Sequence, residues 1–70
     1  MSVLLLIELE QETDGRWIAE VADLPGVLAY GSTHDEAIAH VQALALRVIA
    51  DRLENEEAGR EYLSISFNAA

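Results

Sequence analysis

The feature that most constrains this chain lies at its start, where residues 3–9 read Val-Leu-Leu-Leu-Ile-Glu-Leu. In an extended strand successive side chains point to opposite faces. Val3, Leu5, Ile7 and Leu9 therefore share one face, while Leu4 and Leu6 share the other. A strand that is apolar on both sides belongs inside a sheet, with cover above and below. The run is too short to span a bilayer and lacks a basic flank or cleavage site. Neither a membrane span nor a signal peptide is expected, and a cytoplasmic location is the default.

Turn chemistry predicts the rest of the sheet. The polar stretch from Gln11 ends in Asp14-Gly15, a strong hairpin signal. Arg16 to Ala22 predicts a second strand, with Trp17, Ala19 and Val21 facing one way and Ile18, Glu20 and Ala22 the other. Asp23-Leu24-Pro25-Gly26 places proline before glycine, the order a type II turn prefers. Val27 to Tyr30 predicts a short third strand ended by Gly31, which completes an antiparallel meander.

A helix follows. Thr33 at the N-cap with Glu36 three residues on forms a capping box, and Asp35 adds negative charge where the helix dipole favours it. No glycine or proline intervenes before about Leu53, giving roughly 30 Å of helix at about 1.5 Å per residue. Asn55 to Gly59 is the predicted exit. Tyr62 to Phe67 alternates again, with Leu63, Ile65 and Phe67 on one side and Ser64 and Ser66 on the other, predicting a fourth strand. The expected fold is α+β, in the order β-β-β-α-β. A right-handed crossover lays one long helix on one face of a four-stranded sheet.

Composition narrows the function. The chain has 70 residues, enough for one domain spanning residues 1–70. Half of it is apolar, and thirteen acidic residues against four basic ones give a net charge of −9. The basic residues are Arg16, Arg47, Arg52 and Arg60, with no lysine. So few cations cannot follow a phosphate backbone, which argues against direct nucleic-acid binding. The acidic balance suits a basic partner or plain solubility. No cysteine is present, so disulfides, thiolate metal sites and thiol nucleophiles are excluded.

Two surfaces are left without an obvious cover. One helix shields one face of the sheet, yet Leu4 and Leu6 point to the opposite face. On the helix, Ala37, Ile38, Val41, Leu44, Ala45, Val48 and Ile49 form the arc that packs on the sheet. Ala39, Ala43, Leu46, Ala50 and Leu53 lie opposite, spaced like a seam between helices. The alanines also have a plainer reading as helix-forming filler. A short chain without staples, carrying two such surfaces, is expected to self-associate. Trp17 reads equally well as a core residue or as an interface anchor.

No catalytic constellation emerges. His34 and His40 are six residues apart on one helix and point to different sides, so they are expected to be solvated rather than metal-bound. The serines have no local histidine to act as base, and the glycines form no phosphate-binding fingerprint. Glu8 and Glu10 on the first strand, with Glu36 at the helix start, are the one trio from which a two-metal nuclease could be built. Capping already explains Glu36, and solvated acids are the simpler reading of the others. Glu54, Glu56 and Glu57 near the helix C-terminus fit either a basic partner or a fraying polar exit. No metal, cofactor or catalytic residue is expected.

The stretch Trp17 to Ala37, WIAEVADLPGVLAYGSTHDEA, resembles the N-terminal domain of HicB-type antitoxins. The resemblance rests on Asp14-Gly15, the aromatic Trp17, the turn Asp23-Leu24-Pro25-Gly26, Tyr30-Gly31, and Thr33 followed by Glu36-Ala37. It covers essentially the whole chain in order and spacing. Ala22 stands where the family often has proline, and Ser32 where aspartate is common. The resemblance implies a partial RNase H-like fold that acts as a binding module rather than a nuclease. It also implies a small basic, mRNA-cleaving ribonuclease toxin of HicA type as partner, and dimers or higher oligomers. Family members usually carry a C-terminal DNA-binding domain. None is expected here, so operator binding is not implied. Leu4, Leu6, Trp17, Leu46 and Leu53 are the candidate oligomer or partner contacts.

Overall fold

The computed structural model describes residues 2–57 and 59–69. Its elements run β1 (Val3–Gln11), β2 (Trp17–Val21), β3 (Leu28–Gly31), α1 (His34–Glu54), a 3-10 turn (Arg60–Leu63) and β4 (Ile65–Ala69). The expected α+β architecture is present: a four-stranded sheet in the order β3-β2-β1-β4 with one long helix. β1 is interior in the sheet, but the expected cover on both faces is met on one only: the helix packs over Leu5 and Ile7, while Leu4 and Leu6 are half-exposed. β1 pairs antiparallel with β2 and parallel with β4.

The pairing is staggered along β1. Ile7 to Gln11 lie opposite β2, from Val21 back to Trp17. Val3 to Ile7 lie opposite Ile65 to Ala69 of β4. Each half of the nine-residue strand thus has one partner, and only Ile7 is paired on both sides.

The turns follow their chemistry. Gly15 has φ of +93°, and its N–H donates to the Glu12 carbonyl while the Glu12 N–H donates to Arg16 O. This is the pattern of a three-residue hairpin loop closed by a glycine bulge. Gly26 has φ of +81°, and the Val27 N–H donates to Leu24 O, as a type II turn centred on Pro25-Gly26 demands. That turn also delivers Leu24 and Val27 into the core. Val27 is therefore a buried turn residue, and β3 begins one residue later than the alternation suggests.

The helix begins at Thr33, whose Oγ1 accepts from the Glu36 N–H. Glu36 Oε1 in turn accepts from the Ser32 N–H, one residue before the N-cap. The box is closed, shifted by one donor. Ala37, Val41, Ala45 and Ile49 are buried against Leu5, Ile7, Ala19, Val21, Leu24 and Val27. Gly31 permits the helix to approach this closely. A Cβ there would stand 2.3 Å from the Ala37 nitrogen, far inside contact distance.

The last segment departs from the expected strand. Tyr62 and Leu63 belong to the 3-10 turn, and β4 starts at Ile65. Leu63 consequently points outward, 68% exposed, instead of sharing a face with Ile65 and Phe67. Tyr62 explains the turn. Its hydroxyl accepts from Arg52 Nη1 on the helix at 3.2 Å, and the ring packs against the core edge. Extended backbone at Tyr62 was suggested by alternation alone; this tertiary anchor overrides it.

Candidate functional site

The helix covers the sheet on the side of Val3, Leu5, Ile7, Ala19 and Val21. The opposite face is open, and its residues can be placed by register. Along β1 it presents Leu4, Leu6, Glu8 and Glu10; β2 adds Ile18 and Glu20; β3 adds Leu28 and Tyr30; β4 adds Ser66 and Asn68. Leu4 is 52% and Leu6 49% exposed, and Leu28 and Tyr30 are likewise exposed. Leu4 sits beside Ser66 and Leu6 beside Asn68, so the face is apolar on β1 and polar on the β4 edge.

Beyond Leu6 the face turns acidic. Glu8 lies directly opposite Glu20, and Glu10 directly opposite Ile18. Leu28 and Tyr30 flank these rows on β3, opposite Glu20 and Ile18 respectively. Glu8, Glu10, Glu20, Ile18 and Leu9 line an open depression of about 170 Å³. Like charges facing each other across an antiparallel pair are destabilising. Among the described residues, none of these three glutamates is in an ion pair.

The Arg16 cation borders the face. The Arg16 guanidinium stacks 5.0 Å from the Tyr30 ring centre, a favourable cation–π geometry. It is held there by Asp14, whose Oδ2 accepts from Arg16 Nε at 2.8 Å while Oδ1 accepts from the Arg16 N–H at 3.1 Å. These hydrogen bonds, backbone first, hold the Asp14 carboxyl below the usual aspartate range. Asp14 and Gly15 therefore shape the hairpin and orient Arg16 rather than forming a separate site.

The other residues singled out from the sequence fall elsewhere. Asp23, Leu24, Pro25 and Gly26 build the turn at the opposite end of β2, and Gly31, Thr33 and Glu36 build the helix entry. Trp17 is half-buried on the helix side, edge-on to the His34 ring at 5.0 Å, and does not face Leu4 or Leu6. His40 is exposed and donates from Nδ1 to the Tyr30 carbonyl at 2.7 Å. Leu46 and Leu53 are exposed on the outer side of the helix, together with Ala39, Ala43 and Ala50.

The trio Glu8, Glu10 and Glu36 is not assembled. The two strand acids face away from the helix, whereas Glu36 is bonded to Ser32 on the helix side. Among the described residues no group of three or more histidine, aspartate or glutamate side chains is placed to hold a metal ion. Sequence reasoning saw Glu8 and Glu10 on one face but missed Glu20 and Ile18 as their neighbours. The signal was available in principle, since the Asp14-Gly15 loop fixes the hairpin register that brings Glu20 beside Glu8.

No family model, no curated protein and no solved structure matches this chain. Among the described residues, no helix is long and apolar enough to cross a membrane.

Proposed function

We propose that this chain is a non-catalytic, HicB-like antitoxin that holds and neutralises a small basic mRNA-cleaving ribonuclease toxin of HicA type in the cytoplasm. The observation that carries this reading is the one-sided layer. Leu4 and Leu6 remain half-exposed on a sheet face that no element among the described residues covers, in a chain of net charge −9. Exposed apolar area of this kind marks an interaction surface. The charge selects partners by sign: it repels phosphate and steers a cationic protein toward the complex. The separation of Glu36 from Glu8 and Glu10 across the sheet supports binding in place of hydrolysis.

The test begins with the gene's locus: a small basic protein encoded there is expected, and its co-expression with this chain is followed by purification and a ribonuclease assay on messenger RNA. A stoichiometric complex in which cleavage is suppressed is the expected result. A basic ribonuclease that remains active and elutes separately would overturn the assignment.

A second reading, a homo-oligomeric interaction module without a toxin, is favoured by a different observation. Leu46 and Leu53 lie exposed on the outer helix among Ala39, Ala43 and Ala50. Leucine alternating with alanine at seam spacing suits close packing against the same helix of a second copy. The two surfaces lie on opposite sides of the molecule, so assembly through the helix leaves the sheet face free.

A further inference from the structure

We infer that the open sheet face is the docking surface for a basic amphipathic helix of the partner protein, seated with its apolar side chains on Leu4 and Leu6 and its cations over Glu8, Glu10 and Glu20. This rests on the binding-module reading above and assigns its surface. Three observations converge on it. The face has two zones along one strand, leucines first and glutamates after, so it can distinguish the two ends of whatever lies on it. The acidic zone borders Ile18 along β1 in an open depression of about 170 Å³. Finally, Glu8 and Glu20 face each other, and neither is in an ion pair among the described residues. Such a pair weakens the free chain, and a lysine or arginine from outside would relieve it.

The same charges decide which occupant fits. A second copy laid over the whole face would set this glutamate zone against another of the same sign or, turned end for end, against leucines; either way the carboxylates lack a cation, in chains already at −9. Nucleic acid and anionic lipid are repelled for the same reason. A helix is the natural shape, because a sheet face is closed by one helix layer, as α1 closes the other side.

Chemical-shift mapping on the 15N-labelled full chain tests this without any toxin. The probe is a synthetic helical peptide with leucines at i, i+4 and i+7 and lysines clustered at one end. Titration is expected to move the amides of Leu4, Leu6, Glu8, Glu10, Ile18 and Glu20. Replacing Glu8, Glu10 and Glu20 together by glutamine is expected to weaken binding about tenfold. The same replacement at Glu54, Glu56 and Glu57 removes equal charge and is expected to change it less than about twofold. Equal weakening by both triple variants would reduce the effect to bulk charge and overturn the assignment. So would shifts confined to the outer helix, or shifts at Leu4 and Leu6 on simple dilution, which would give the face to a second copy. Peptide docking on this face beside a failed ribonuclease co-purification would remove the toxin but keep the surface; the converse would keep the toxin and move its site.

Discussion

Glu56 occupies a backbone conformation that suits glycine. Its φ is +57°, its N–H donates to Leu53 O, and the Glu57 N–H donates to Arg52 O. This is the Schellman pattern that closes a helix, with Asn55 as C-cap. A side chain at positive φ is strained, and a glutamate near a helix C-terminus also opposes the dipole. Glu56→Gly is therefore expected to stabilise the chain by about 0.5–1 kcal/mol, read as a higher midpoint in urea denaturation; an unchanged or lower midpoint would refute this account of the exit. Asp14 offers a test of a different kind. Its folded carboxyl titrates below the ordinary value because Arg16 donates to it twice. A depressed acid contributes stability above its unfolded pKa of about 3.9 and loses it as pH falls through the lower folded value. Side-chain carboxyl shifts across a titration from pH 6 to pH 2 should place Asp14 below the ordinary aspartate value. Asp14→Asn should remove its share of the acid-induced loss of stability. Asp14 titrating at the ordinary aspartate value would show the Arg16 bonds to be unoccupied in solution.

At the level of elements, the long helix is the best place to separate filler from function. Its inner row of Ala37, Val41, Ala45 and Ile49 is buried, while Leu46 and Leu53 face outward, outside the core cluster. Leu46→Glu with Leu53→Glu is expected to leave helicity by circular dichroism unchanged, and to convert an assembled wild type into monomer by light scattering. A wild type that is already monomeric at micromolar concentration would leave the alanines as propensity alone. Most of this helix was readable in advance, because Thr33, Glu36 and the absence of glycine or proline act locally. The Pro25-Gly26 turn was readable for the same reason. What escaped was set by distant contacts. Tyr62 alternates like a strand residue but is drawn into a 3-10 turn by Arg52, ten residues away. The stagger of β1 between β2 and β4 also escaped, since a two-residue period is identical in both halves and does not say which neighbour each half meets. The acidic zone was half seen for that reason: Glu8 and Glu10 share a strand, whereas Glu20 joins them only through register.

For the molecule as a whole, charge is the dominant global property. The chain extends 40 × 20 × 16 Å and carries −9. At an ionic strength of about 0.01 M the screening length is roughly 30 Å, comparable with the molecule, so nearly all its acids repel one another. At about 0.15 M it falls to roughly 8 Å and only neighbours interact. Raising salt over this range should therefore stabilise the free chain, increasing its thermal midpoint by several degrees, given that about 1 kcal/mol shifts a domain of this size by roughly 4–8 °C. The complex should respond with the opposite sign. A cationic partner attracted by the same field is released as that field is screened, so affinity should fall over the same range of salt. The paired measurement is thermal melting of the free chain and isothermal titration with its basic partner, in the same series of sodium chloride concentrations. A free chain indifferent to salt would mean that its acids are too dispersed to repel. Affinity rising with salt would mean that the leucines alone hold the partner, and that Glu8, Glu10 and Glu20 have no part in recognising it.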